Sequence, residues 1–180
     1  MAQNLFASFQ DYKMAEKAVG ALLDHGVSKD HLSLIGPADG KDHQSHAENG
    51  VTTTTGADAA AGAAKGAGVG LVAGALAALA SLLIPGFGLV IGGGALATAL
   101  ASAAGTTAAG ALAGGVTGFL QDQGVDKQLA VDYEAALKNG GAVIEVSTPS
   151  KDVSLTEIQQ ILTKYGAMNF SGALQAKPII

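Results

Sequence analysis

Residues 66–121 read GAGVGLVAGALAALASLLIPGFGLVIGGGALATALASAAGTTAAGALAGGVTGFLQ, and none of the fifty-six carries a charge. Glycine recurs in and just before the stretch at a spacing of four. Gly62, Gly66, Gly70 and Gly74 form one run; Gly110, Gly114 and Gly118 form a second, which Thr106 extends backwards. An α-helix turns once in about 3.6 residues, so each run draws a groove free of side chains along one helix face. Two helix backbones approach closely along such grooves, as in small-xxx-small packing. In an antiparallel pair the facing positions have a constant sum. Gly62 with Gly118, Gly66 with Gly114, Gly70 with Gly110 and Gly74 with Thr106 each sum to 180, and Ala78 with Ser102 and Leu82 with Thr98 continue the series. The implied centre is position 90. Proline interrupts a helical ladder and glycine frees the backbone, so Pro85, Gly86 and Gly88 are expected to turn the chain there. The reading is a hairpin of two long helices, over 57–84 and 95–120, with Gly92-Gly93-Gly94 as a second weak point.

The flanks differ from the middle and resemble each other. Leu5-Phe6-Ala7-Ser8-Phe9 suits a short strand, Asp11 sits where a helix N-cap belongs, and Met14, Ala15, Ala18, Leu22 and Leu23 make an apolar stripe that Gly26 ends. A second strand is expected from His31 to Ile35. The C-terminal flank repeats the order. Val143-Ile144-Glu145-Val146 reads as a strand, Ser154 with Glu157 as a capping box, and Leu155, Ile158, Ile161, Leu162 and Tyr165 as a helical stripe closed by Gly166. Residues 168–171 are a last short strand. The expected fold class is α+β: a ferredoxin-like split βαβ…βαβ domain, four strands with both helices on one sheet face, interrupted by the glycine-zipper helical hairpin. The divisions are 1–36 for the first half, 37–56 for a polar linker, 57–121 for the hairpin, 122–141 for a short amphipathic helix with Leu129, Tyr133 and Leu137 at steps of four, and 142–180 for the second half.

Composition narrows the function. Only 14% of residues are charged, against roughly 25% in an ordinary soluble domain. Lys and Arg number 10 without clusters or interleaved aromatics, which argues against nucleic acid as a partner. There is no cysteine, so thiolate metal sites and disulfides are excluded. The opening MAQNLFASFQDYK lacks a basic n-region and an apolar h-region. The expectation is therefore no signal peptide, and a place in the cytoplasm or at a membrane face reached from it.

Three stretches carry a family resemblance: DYKMAEKAVGALLDHGVSKDHLSLIGP from position 11, LLIPGFGLVIGGGALATAL from position 82, and GVDKQLAVDYEAALKNGGAVIEVS from position 124. Together they resemble the general stress protein 17M-like, or heat-induced stress protein YflT-like, domains of bacteria, over most of the chain from Phe6 to about Tyr165. The chain departs from that pattern in the turn, with Leu89 and Ala95 where further prolines are expected. The resemblance implies a stress-associated, non-enzymatic protein and supplies no catalytic residues.

Candidate chemistry is thin. His43 and His46 beside Asp42 fall short of a catalytic zinc site, which needs three protein ligands. His25 is favoured near a helix C-terminus by the dipole. Gly66-Ala67-Gly68-Val69-Gly70 has the wrong spacing for a dinucleotide fingerprint, and no Gly-Lys-Ser/Thr follows for a P-loop. Asp132 and Glu134 point to different helix faces and read as solvated. No catalytic, cofactor-binding or metal residue is assigned, and no enzyme activity is expected. The open question is what covers the apolar segment: other copies of the chain, a lipid bilayer, or its own sheet. The first helix is rich enough in leucine for lipid. The second is mostly Ala and Gly, which contribute little to insertion. Homo-oligomeric self-assembly through the zipper is the leading expectation and a membrane-inserted hairpin the alternative.

Overall fold

Ala142–Thr148 is the strand around which the molecule is built. Its Val143, Ile144 and Val146 suit a pleated surface, and Ala142 to Val146 are all buried, as expected of a strand covered on both faces. A computed structural model of the chain describes residues 3–37, 81–84, 88–105, 115–148, 150 and 153–172. In chain order the described elements are β1 (Gln3–Phe9), α1 (Tyr12–Asp24), a 3-10 turn (Lys29–His31), β2 (Leu32–Ile35), β3 (Ser81–Ile84), β4 (Gly88–Gly92), α2 (Ala95–Gly105), α3 (Gly115–Asp122), α4 (Lys127–Lys138), β5 (Ala142–Thr148), α5 (Leu155–Lys164) and β6 (Met168–Ser171). The fold class is α+β with one antiparallel sheet in the order β3-β4-β2-β5-β1-β6.

Register divides the side chains cleanly. β5 pairs with β1 from Gln3↔Thr148 to Phe9↔Ala142 and with β2 from Leu32↔Val146 to Ile35↔Val143. Leu5, Ala7, Phe9, Leu32, Leu34, Ala142, Ile144 and Val146 face α1 and α5. Phe6, Ile35, Val90 and Val143 face α2, α3 and α4. The helices begin and end where the side chains can cap them. Asp11 accepts from the Lys13 N–H at 2.8 Å, and Ser154 from the Glu157 N–H at 3.2 Å. Gly26 and Gly166 follow α1 and α5 at φ 95° and 86°. Opposite α1 and α5, the amphipathic helix α4 buries Ala130, Tyr133 and Leu137. The Tyr133 hydroxyl donates to the Asn169 carbonyl in β6. There the pairing slips between Phe6↔Ser171 and Ser8↔Met168, a bulge that puts Asn169 at φ 51° and blunts this sheet edge.

The middle of the chain departs from the helical hairpin. Residues 81–84, expected to end a long helix, form strand β3, which pairs with β4 from Ser81↔Ile91 to Ile84↔Gly88. The pairs sum to 172, so the turn is centred on residue 86 and not 90, and it joins two strands. Gly88 opens β4 at φ 93°, while Pro85 and Gly86 lie outside the described residues. The physical reason is that a short apolar run such as Leu82-Leu83-Ile84 or Leu89-Val90-Ile91 fits a buried strand as well as a helix, and periodicity cannot separate them. The edge of β2 supplies the backbone partners that decide it, from Ser33↔Gly92 to Ile35↔Val90. Among the described residues the sheet thus has six strands where four were expected.

The remainder of the second predicted helix is described as two, α2 and α3, and both lie on the sheet's second face, where Leu96, Leu100, Val116, Phe119 and Leu120 are buried. Of the three coverings weighed for the apolar segment, this part takes its own sheet. Burying each such leucine is worth ~1.5–3 kcal/mol.

Gly92 ends β4 at φ 124°, and a Cβ there would stand 2.1 Å from the Leu32 carbonyl oxygen. Gly92→Ala should therefore lower unfolding stability by about 1–3 kcal/mol or more, measured by urea denaturation. An unchanged midpoint would contradict the close passage of β4 over β2.

Candidate functional site

The second face of the sheet is apolar apart from Ser8 and a polar cluster at one end. Alternation along β2 and β5 brings Ser33, Glu145 and Ser147 to this face, with Ser33 directly opposite Glu145, and His31 lies just before β2 in the 3-10 turn. Ser33 and Glu145 are fully buried. One Glu145 oxygen, Oε2, accepts from Ser33 Oγ at 2.8 Å and from the Leu96 N–H at 3.4 Å. Oε1 accepts from Ser147 Oγ at 2.6 Å. Ser33 Oγ in turn accepts from the Ala97 N–H at 3.1 Å. Leu96 and Ala97 belong to the first turn of α2, whose Gly94 carbonyl accepts from the Thr98 N–H. The first turn of α2 contains no acidic residue. A strand carboxylate and a strand hydroxyl therefore satisfy orphan amides that a local cap usually takes.

Gly94 makes the approach possible: a Cβ there would stand 2.5 Å from Ser33 Oγ and 2.6 Å from Glu145 Oε2. Burial raises the Glu145 carboxyl above its ordinary value, against the hydrogen bonds from Ser147, Ser33 and the Leu96 amide and the charge of His31, which favour the anion. The Nδ1 of His31 is buried without a hydrogen-bond partner among the described residues.

A second carboxylate does the same for α3. Glu134 Oε2 accepts from the Thr117 N–H at 3.1 Å and from the Thr117 hydroxyl. Its Oε1 meets Lys138 Nζ at 2.5 Å. The bond from Lys138, then that from the Thr117 hydroxyl, holds this carboxyl below its ordinary value. Glu134, expected to be solvated, is thus a helix anchor. Asp132 accepts from Gln128 Nε2 at 3.3 Å.

Of the residues singled out for helix packing, Gly118 falls within α3, and no described atom lies within 4 Å of where its Cβ would be. Gly62, Gly66, Gly70, Gly74, Thr106, Gly110 and Gly114 lie outside the described residues, as do His43 and His46. His25 Nδ1 lies 2.7 Å from the Ala21 carbonyl, at the end of α1 as the dipole favours. Among the described residues no three His, Asp or Glu side chains form a group able to hold a metal ion. The Glu145 cluster was missed because Ser33 and Glu145 each sit between apolar neighbours, which on a sheet with one open face reads as solvent-facing. Chemically the cluster anchors: its serines and carboxylate are engaged with each other and with helix amides. Comparison with protein-family models, with curated proteins and with solved structures returned no match.

The two carboxylates should respond to pH in opposite senses. The folded protein holds the Glu145 proton more tightly than the unfolded chain, so its contribution is complete below the unfolded pKa and is lost as pH rises through the folded value. Glu145→Gln, which imitates the neutral acid, should gain on the parent protein as pH rises from about 4 to 7, read by urea unfolding; parallel pH profiles would contradict this. Glu134 has the depressed value, so its contribution is present above the unfolded pKa and is lost as pH falls through the folded one. Glu134→Gln should cost about 0.5–2 kcal/mol at neutral pH, a gap that closes in acid. A gap that persists in acid would assign the loss to something other than the charge.

Proposed function

We propose that the chain is a non-enzymatic structural protein that self-assembles into a homo-oligomer through its uncharged, small-residue segment. The observation that carries this is Gly118. A helical glycine costs roughly 0.5–1 kcal/mol relative to alanine, and nothing in the described fold requires one there. Close approach by another backbone supplies a reason. The neighbouring surface fits: on α2, Ala95, Thr98, Ala101 and Ser102 are all exposed and all small. Among the described residues no helix is long and apolar enough to cross a membrane. We further propose that β2-β5-β1-β6 with α1 and α5 form a ferredoxin-like unit. Support comes from the strand order and from α1 and α5 lying on one face. The stress-associated role rests on the resemblance around residues 11–37, 82–100 and 124–147.

Light scattering without detergent should give a mass several times that of the 17.6 kDa chain. Gly118→Leu should leave unfolding of the individual chain nearly unchanged while weakening the assembly by about 1–3 kcal/mol per seam. A monodisperse monomer, or an assembly indifferent to Gly118→Leu, would overturn the proposal. Flotation with lipid vesicles would instead favour the membrane-bound alternative.

A further inference from the structure

α2 meets the sheet with Leu96, Ala97 and Leu100, and its Leu96 and Ala97 amides bond to Glu145 Oε2 and Ser33 Oγ. The turn before it is fixed independently. The Gly93 N–H donates to the Lys29 and Leu32 carbonyls, and the Gly94 N–H to that of Leu32. The helix can therefore swing about Gly94 while β4 and its turn keep their bonds to β2. Beneath it lies Glu145, fully buried on β5. The contacts of this acid survive protonation. Oε2, as a carbonyl oxygen, still accepts from Ser33 and from the Leu96 N–H, and a proton on Oε1 finds its acceptor in the half-buried Ser147 Oγ, 2.6 Å away. Ionisation is different, because it leaves a charge withdrawn from water. His31, in the 3-10 turn, carries the charge that favours the anion, while Lys29 and Asp30 of the same turn are exposed. β2 presents Ser33, and β1 presents Phe6, which is paired with Glu145 itself. α4 turns Tyr133 to this face with its hydroxyl bound to Asn169, and α2 has no titratable side chain. α1 and α5 pack on the other face. Lifting α2 lets water reach the carboxylate, a gain that the neutral acid, already bonded, does not share.

We propose that α2 is a flap, held down while Glu145 is protonated and loosened when it ionises, so that rising pH bares the apolar face of α2 and the sheet beneath it. The surface uncovered is Leu96 and Leu100 on the helix and Ile35 and Val90 on the sheet. Burial raises the Glu145 carboxyl above its ordinary value, which agrees in sign. The closed form holds the proton more tightly than an open form with the acid in water. Closure is therefore fullest below the open-form value and is lost as pH rises through the closed-form value. The flap stands on this geometry and does not need self-assembly.

Hydrogen exchange of the full chain, read over residues 95–102, tests this, each rate being divided by the intrinsic rate at the same pH. Opening should rise severalfold from about pH 4 to 7, no more steeply than the roughly tenfold per unit that one proton allows. It should level off at the midpoint at which the Glu145 Cδ resonance titrates. Roughly 0.5 M urea should leave this exchange unchanged while speeding that of β5 amides, as for local and global opening respectively. Glu145→Gln should flatten the profile, and Glu134→Gln should not. A flat profile in the parent, a profile unmatched to the Glu145 resonance, exchange as urea-sensitive as that of β5, or a rise that persists in Glu145→Gln would overturn the inference. If Glu145→Gln does not fold, the match between exchange and resonance decides. Uptake is followed at two protein concentrations about tenfold apart. A rise with pH seen only at the higher one belongs to assembly and overturns the flap, whereas a rise equal at both supports it whatever the oligomeric state.

Discussion

The carboxylate of Glu145 stands between a sheet and the first turn of a helix that has no acidic residue of its own. The seating of α2 on the second sheet face depends on that contact. α2 is almost wholly Ala, Leu, Thr and Gly, and an apolar helix of this kind can slide or rotate on an apolar sheet at little cost. The Leu96 amide bound to Glu145 Oε2, and the Ala97 amide bound to Ser33 Oγ, fix its axial position and its direction. With α2 held, Leu96 and Leu100 meet Val90 and Ile35, and α3 and α4 complete the layer. The buried acid also carries a desolvation cost, so it specifies the arrangement more than it adds net stability.

A common logic links Glu145 and Glu134. The uncharged segment contributes two described helices and no side chain able to cap either with a charge. Each helix has its N-terminal amides met by a glutamate from outside the segment, one on β5 and one on α4. The surrounding domain thus provides the polar groups that the segment lacks. The segment provides the apolar surface that the domain needs on its second face.

How much of this is legible in the sequence follows from the kind of signal each part uses. The flanking elements rest on local chemistry: Asp11, Ser154, Gly26 and Gly166 cap or end helices within a few residues, and the apolar stripes of α1, α4 and α5 have clear period. Those elements match the structure to within a residue or two. Residues 81–84 and 88–92 carry no local signal that separates strand from helix, because Leu82-Leu83-Ile84 and Leu89-Val90-Ile91 are apolar at every position. Their state is decided by the free edge of β2, a partner far away in sequence. The Glu145 cluster was hidden for a related reason. Its meaning depends on whether the second face is covered, and that depends in turn on where α2 goes.

One consequence of putting α2, α3 and α4 on the face opposite α1 is chiral. β1 to β2 and β5 to β6 are crossovers between parallel strands with their helix on the same face, and they share one hand. β4 and β5 are also parallel, but residues 93–141 join them across the other face and so wind with the opposite hand. The strong preference for a single hand comes from one helix packing directly back on the strands that flank it. Three helices on a long connection escape that constraint, and the contact that fixes their side comes from β5, the strand at which the connection ends. The bond that fixes it joins Leu96 to Glu145 across 49 positions, a non-local contact of the kind whose closure slows folding.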